Sequence, residues 1–149
     1  MDSRPFGAGF STGQRPHKEK AKMPDKKIHK ILLFMKRKPG MSVADFRAYY
    51  ENSHAPLAAR SSTNLQRYIR RYIEPKPHPE TGPNDEMEFD VITELWCKDE
   101  ASFNGLLSYL TSAVMPDFIV EDEKNLFDRT SFRIATVVEC ETGLPAVTA

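Results

Sequence analysis

His54 is the residue of this 149-residue chain best placed to do acid–base chemistry. Imidazole changes its charge near neutral pH, so a histidine at the mouth of an apolar cavity can act as a general acid or a general base. The alternative is a structural histidine that caps a helix and satisfies a backbone carbonyl. The four histidines, at positions 17, 29, 54 and 78, lack the close spacing of a metal site, so we expect no bound metal.

A strand, a turn and a helix must position His54. Residues 31–35 are apolar on both faces of a strand, as in a sheet that is covered on both sides. The Pro-Gly pair at 39–40 ends that strand. Ser42, followed three residues later by Asp45, resembles a capping box and predicts a helix that begins near Val43.

The spacing of apolar residues places His54 on the inward side of this helix. Phe46 and Tyr50 lie on one stripe, and the same stripe continues to His54 and Leu57. Because proline disfavours a helical conformation for the residue before it, Pro56 predicts that the helix ends near His54. The sequence therefore predicts an imidazole at a helix C-terminus, on or near the face that packs inward.

A second set of chemically capable side chains lies on two predicted strands, residues 66–74 and 88–98. It consists of Tyr68, Arg70 and Tyr72 on the first strand and Glu94 and Trp96 on the second. If the strands are neighbours and these faces coincide, the five residues form an aromatic-lined pocket with polar groups, suited to phenolic or polyketide-like ligands. The alternative is a solvent-facing strand with cross-strand pairing between arginine and glutamate.

The run MKRKPGMSVADFRAYYENSHAPLA, residues 35–58, resembles the opening of the EthD family, small proteins of the dimeric α+β barrel superfamily. The family pattern is a strand, a turn, a helix of the form F-x-x-Y-x and a His-x-Pro-Leu. The matching residues are Phe46, Tyr49 or Tyr50, His54, Pro56 and Leu57. The similarity extends through FDVITELWCKD and EDEKNLFD, over about residues 28–141.

The resemblance implies a functional role for His54, with Tyr50 among the residues that bind the substrate. It also suggests an acid of the EDEKNLFD segment, Asp122 with Asp128 nearby, as a partner of His54. The alternative for these acids is simple solvation, which is the usual state of carboxylates in such a run. Relatives in the superfamily include cofactor-independent decarboxylases and cyclases, cofactor-free monooxygenases and accessory proteins of ether-degrading systems.

The order of predicted elements is βαββαβ, the split arrangement of ferredoxin-like α+β folds. Helices are predicted after Asp99 and, beyond Pro116, over a short segment that carries Asp122, and the last strand is predicted over residues 131–141. Such a sheet has one bare face, which a second copy can cover to close a barrel. We therefore expect a homodimeric α+β barrel over residues 28–141, between a disordered basic tail (1–27) and a flexible tail (142–149).

Charge and composition exclude several classes of partner. Residues 1–38 carry 11 Lys and Arg against 3 acids, and the remainder carries 10 against 18, so the basic character belongs to the tail. A tail without interleaved aromatic residues is typical of a solvated segment, so we expect no nucleic-acid partner. No apolar run is long enough to cross a bilayer, and Cys97 and Cys140 lie on strands that are not neighbours. We therefore expect a cytoplasmic protein with no membrane partner.

Three functions are compatible with these observations. The first is a cofactor-independent decarboxylase, cyclase or dehydratase that uses His54 on an aromatic or polyketide-like molecule. The second is an oxidoreductase of the same fold, either cofactor-free or haem-dependent with His54 as axial ligand. The third is a non-catalytic binding or accessory protein that shelters a hydrophobic intermediate.

Overall fold

The computed structural model describes residues 28–62 and 64–147, which form a four-stranded sheet with helices packed against it. The strands are β1 (Lys30–Arg37), β2 (Leu65–Tyr72), β3 (Val91–Cys97) and β4 (Phe127–Thr136). The helical elements are α1 (Val43–Tyr49), a π-helical segment (Tyr50–His54), α2 (Ala55–Arg60), α3 (Glu100–Ser112) and α4 (Asp117–Lys124). The predicted order of strands and helices is confirmed.

The strands lie side by side in the order β2-β3-β1-β4, and every neighbouring pair is antiparallel. The first and third strands of the chain are therefore central, as the split βαβ arrangement requires. This confirms the predicted α+β, ferredoxin-like class. Closure of a barrel by two copies stays a prediction.

Helix α1 begins where the capping pattern predicts. The hydroxyl of Ser42 accepts a hydrogen bond of 3.0 Å from the backbone N–H of Asp45, and α1 starts at Val43. This bond satisfies one of the free N–H groups of the first turn, where the carboxylate of Asp45 also meets the positive end of the helix.

The predicted end of this helix near His54 is wrong, because the chain remains helical through Pro56 to Arg60. In an α-helix the ring of Pro56 would meet the carbonyl four residues earlier, that of Asn52, which would also lack its hydrogen bond. The chain instead widens into the π-helical segment, in which the N–H of Ala55 bonds the carbonyl of Tyr50. The helix therefore passes the proline without a break, and His54 lies inside it.

Strand β4 begins earlier and ends earlier than residues 131–141. Phe127 already pairs with Arg37 of β1 and is only 3% exposed, so the sheet, and not a helix, takes up the apolar end of the EDEKNLFD segment. The strand ends at Thr136, which leaves Cys140 exposed outside the sheet while Cys97 is buried in β3. Neither cysteine forms a disulfide.

The core lies between the sheet and the helical stretch that carries His54. Its buried members are Met35, Phe46, Tyr50, Ala55, Val91, Leu126 and Phe127. Four aromatic rings meet edge to face in this core, since Phe46, Tyr50 and Phe127 contact one another and Tyr72 contacts the first two. Such contacts fix the angle at which the π-helical segment crosses the sheet.

Parts of the predicted domain organisation lie outside the described residues. They are the basic tail (1–27), position 63 and the last two residues of the C-terminal tail. Within the described part of the chain, no helix is both long and apolar enough to cross a membrane.

Candidate functional site

His54 is buried on the helical side of the sheet and is held by a carboxylate. Its Nδ1 atom lies 2.6 Å from Oδ2 of Asp122 in α4, and the whole residue is 6% exposed. The rings of Tyr50 and Phe127 stand edge-on to the imidazole, with centroids at 5.2 and 5.4 Å. The structure thus brings together His54, Tyr50 and Asp122, three residues that the sequence singles out.

Asp122 accepts a second hydrogen bond from a residue that sequence reasoning left ambiguous. The hydroxyl of Tyr49 donates to Oδ1 of Asp122 over 2.7 Å, and this bond raises the pKa of Tyr49 above its usual value. Tyr49 therefore bonds the carboxylate of Asp122, whereas Tyr50 packs in the core. The two adjacent tyrosines in the family-like motif were the signal for both roles.

The bond between His54 and Asp122 decides which nitrogen of the imidazole is available for chemistry. A carboxylate accepts hydrogen bonds, so Nδ1 carries the proton in the neutral ring and Nε2 carries the lone pair. Among residues 28–62 and 64–147, no side chain or backbone group bonds to Nε2. The arrangement can move a proton at Nε2.

The hydroxyl of Tyr50 forms hydrogen bonds with two other hydroxyls. It is 2.8 Å from Oγ1 of Thr93 and 3.3 Å from the hydroxyl of Tyr68. Burial raises the pKa of Tyr50 well above its usual value, so the phenol stays neutral. Thr93, which is fully buried, was not among the predicted site residues.

Arg70 and Tyr72 lie beside this group and converge on Glu51, which was also not predicted. Arg70 donates to both oxygens of Glu51, over 2.6 and 2.9 Å, and Tyr72 donates to Oε1 over 2.6 Å. These bonds lower the pKa of Glu51, and burial together with Glu51 raises the pKa of Tyr72. The guanidinium of Arg70 is therefore engaged by a carboxylate of the protein.

Glu94 and Trp96 do not join this set, although β2 and β3 are neighbours as the pocket hypothesis required. The register pairs Arg70 with Thr93, so Tyr68, Arg70 and Tyr72 share the helical face with Thr93. Directly paired residues of antiparallel strands point to the same face, and Glu94 is paired with Ile69 on the other one. The predicted five-residue pocket is thus divided between the two faces of the sheet.

Glu94 belongs to an ion-pair cluster on the face of the sheet that no described helix covers. It accepts hydrogen bonds from Arg71 (2.8 Å) and from the indole of Trp96 (2.9 Å), and Lys30 lies 3.7 Å away. The bond from Arg71 is the main cause of a pKa below the usual value for Glu94. Glu94 thus pairs across the strands with an arginine, as in the alternative interpretation, but the arginine is Arg71 and not Arg70, and Glu94 is buried and does not face solvent. Trp96 also lines a hollow of about 190 Å³ with Gln66 at the strand ends, away from His54.

The acids around Asp122 have other partners. Glu123 is buried and accepts a hydrogen bond of 3.0 Å from Arg129, while burial raises its pKa. Asp128 accepts hydrogen bonds from Thr130 and does not contact His54. Of the acids in the EDEKNLFD segment, Asp122 is therefore the partner of the histidine.

Comparison with known proteins finds one matching family and several similar structures. Similar solved structures include an EthD family protein of Bacillus halodurans (22% identity, TM-score 0.43, 73% of this chain and 98% of that one). They also include an EthD-like protein of Ralstonia eutropha (18% identity, TM-score 0.45, 76% of this chain and 94% of that one). No curated protein matches the sequence. The model of the EthD domain matches residues 38–130. Because this match spans more than half of the chain, the protein belongs to the EthD family.

Proposed function

We propose that this protein is a cofactor-independent enzyme that moves protons on an aromatic or polyketide-like small molecule, in a decarboxylase, cyclase or dehydratase type of reaction. The observation that carries the proposal is the pair of buried His54 and partly buried Asp122, in which Nδ1 bonds the carboxylate and Nε2 has no hydrogen-bond partner among the described residues. A histidine that only capped its helix would donate a hydrogen bond to a backbone carbonyl. The ring of His54 instead bonds a carboxylate of another helix.

The residues have distinct roles in the proposed reaction. Nε2 of His54 accepts a proton from an acidic C–H or O–H of the substrate. The carboxylate of Asp122 stabilises the imidazolium that forms, and the hydroxyl of Tyr49 holds that carboxylate in place. The imidazolium then returns the proton to the substrate carbanion or to a leaving hydroxyl, which restores the neutral ring.

The surroundings of His54 support an aromatic substrate. The rings of Tyr50 and Phe127 stand perpendicular to the imidazole and are buried in the core. The half-buried Phe132 packs on Phe127 with ring centroids 5.2 Å apart and is the ring of this group that a substrate can contact. Aromatic edges and faces bind planar rings, and the few polar groups nearby set their orientation.

The test begins with a ligand screen by thermal unfolding of the full chain, using phenolic and polyketide-like compounds. A ligand present at a hundredfold excess over its dissociation constant adds about 2.7 kcal/mol to the free energy of unfolding if it binds only the folded state. Each compound that binds is then incubated in deuterated water, and the products are analysed by mass spectrometry. We expect deuterium incorporation, loss of CO₂ or loss of water with the wild type.

His54→Gln should still bind the same compounds but should no longer convert them. His78→Gln, which changes an exposed histidine in the connection between β2 and β3, is the matched control and should convert them normally. Equal turnover by His54→Gln and the wild type would remove His54 from the mechanism. Binding without conversion by the wild type would favour the accessory-protein function.

The same geometry favours an oxidoreductase as the second candidate. An imidazole whose Nδ1 bonds a carboxylate is also the common form of a metal-ligating histidine, so His54 could present Nε2 to a haem iron. Haem would supply redox chemistry at this position. A Soret band in the absorption spectrum of the purified protein, or oxygen consumption during turnover, would support this candidate over the first.

We also propose that two copies associate through the face of the sheet that carries Glu94, as the family's barrel fold suggests. Half-buried apolar residues on this face, Leu32, Phe34 and Ile92, alternate with the ion-pair cluster. Light scattering should give twice the chain mass of 17.0 kDa, and a monomer at micromolar concentration would contradict this.

The unpaired cysteines support a cytoplasmic location, which cell fractionation tests.

A further inference from the structure

Three hydroxyl groups form a chain that leads from the centre of the core toward the surface. Thr93 has no exposed surface, Tyr50 is 1% exposed and Tyr68 is half-buried. The hydroxyl of Tyr50 is the middle member, bonded to Thr93 at 2.8 Å and to Tyr68 at 3.3 Å. Within the described residues, neither Thr93 nor Tyr68 has another hydrogen-bond partner for its hydroxyl group.

The need to pair every buried hydroxyl proton decides which hydroxyl of this series donates and which accepts. If Tyr68 donated to Tyr50 and Tyr50 donated to Thr93, the hydroxyl proton of Thr93 would be left without an acceptor in a fully buried position, which is costly. In the opposite direction Thr93 donates to Tyr50 and Tyr50 donates to Tyr68. Every buried proton then has an acceptor, and the one O–H left over is that of Tyr68, which is the member nearest to the surface.

We propose that the hydroxyl of Tyr68 donates a hydrogen bond to an acceptor oxygen of the substrate, a carbonyl or a phenolate. This inference rests on the proposed function and adds the chemistry of the substrate group that binds opposite the base. Tyr50 connects the two positions, because its ring contacts His54 and its hydroxyl contacts Tyr68. A substrate without an oxygen at this position leaves the donor unpaired and binds less tightly.

The surroundings of Tyr68 suit a neutral donor. Burial raises the pKa of Tyr68, so the phenol keeps its proton near neutral pH. The guanidinium of Arg70 lies 4.8 Å from the centre of the Tyr68 ring but is neutralised by Glu51. A donor at the end of a hydroxyl chain is also strengthened by the donors behind it. The position is therefore specific for an acceptor oxygen, with no free charge that would select a carboxylate.

Two matched probes test this specificity. Anthraquinone-2-sulfonate and anthracene-2-sulfonate have the same planar ring system and the same charge, and they differ in the two carbonyl oxygens. Dissociation constants are measured by calorimetry on the full chain. We expect the wild type to bind the quinone about five- to tenfold more tightly than the hydrocarbon, which is the size of one net hydrogen bond.

Tyr68→Phe should bind the two probes equally, because it removes the donor to the probe and keeps the ring. It also removes the acceptor of the Tyr50 hydroxyl, which affects both probes alike. Tyr109→Phe, which removes an exposed phenol on α3, is the control and should keep the full preference. His54→Gln should keep it too, so a failure of the proposed catalysis is distinguishable from a failure of this inference. An unchanged preference in Tyr68→Phe, or no binding of either probe to the wild type, would overturn the assignment.

Discussion

The Nδ1 atom of His54 and the Oδ2 atom of Asp122, which belong to residues 68 positions apart, lie 2.6 Å from each other. This bond joins the π-helical segment to α4 across the aromatic core. It also sets the tautomer of the imidazole, because a carboxylate can only accept. The position of α4 relative to α1 is therefore a condition for the proposed chemistry, and side chains that hold α4 in place contribute to it.

Replacing Asp122 by Asn should lower kcat by about a hundredfold or more, the usual contribution of a positioned acid–base pair. The amide no longer stabilises the imidazolium, and its N–H can reverse the tautomer. Steady-state kinetics on a compound converted by the wild type measure the change. Glu121→Gln changes an exposed acid of the same helix and should leave kcat unaltered. Wild-type kcat in Asp122→Asn would show that the pair is structural.

Replacing Tyr49 by Phe should have a smaller effect on the same reaction. The variant removes one of the two hydrogen bonds to Asp122, so the carboxylate remains charged but is less constrained. We expect a three- to tenfold decrease in kcat, and a loss of about 1 kcal/mol in the free energy of unfolding. Urea denaturation and kinetics are measured on the same samples. A decrease as large as that of Asp122→Asn would assign Tyr49 a direct role.

Glu123→Gln should stabilise the protein near neutral pH. The carboxyl of Glu123 has a raised pKa because it is buried, so its charged form is disfavoured in the folded state even with Arg129 beside it. Stability of the wild type therefore falls as the pH rises above the ordinary value of 4.5, and the neutral glutamine avoids this loss. Urea denaturation at pH 7 and at pH 4 should show the advantage only at pH 7.

Glu94→Gln should have the opposite effect and destabilise the protein near neutral pH. The pKa of Glu94 is lowered by Arg71, Trp96 and Lys30, so its charge contributes stability above pH 4.5 that is lost as the pH falls through the lowered pKa. We expect a loss of about 2 kcal/mol near pH 7, the value of hydrogen bonds to a charged group, and a smaller difference at pH 3. Glu88→Gln, an exposed glutamate on the preceding loop, is the control. Equal stability of Glu94→Gln and the wild type at pH 7 would contradict the role of the cluster.

Local patterns in the sequence determined the elements and their order. Ser42 and Asp45 defined the start of α1, and the apolar run over residues 31–35 defined the first central strand. These features depend on residues a few positions apart, whose geometry the backbone alone decides. The family-like motif around His54 depended on the same local spacing.

The candidate site itself depended on contacts between distant segments. Alternation shows which residues of β2 share a face, but the register decides which residues of β3 they meet. A shift of the register by one residue would bring the other face of β3 against them. Here the register pairs Arg70 with Thr93, so the tyrosines of β2 meet Tyr50, and Glu94 meets Arg71. A bulge between Leu65 and Arg67 contributes to this register and has no local signal in the sequence.

The sequence by itself determined that this is an α+β protein of the EthD family with an inward-facing histidine. Only the tertiary structure decided that Asp122, and not Asp128, bonds His54, and that the helix passes Pro56 through a π-helical turn. The physical reason is that both depend on packing between distant segments. Helix α4 brings Asp122 to His54, whereas Asp128 lies on β4 and bonds Thr130. The aromatic core holds a π-helical turn that local preference disfavours.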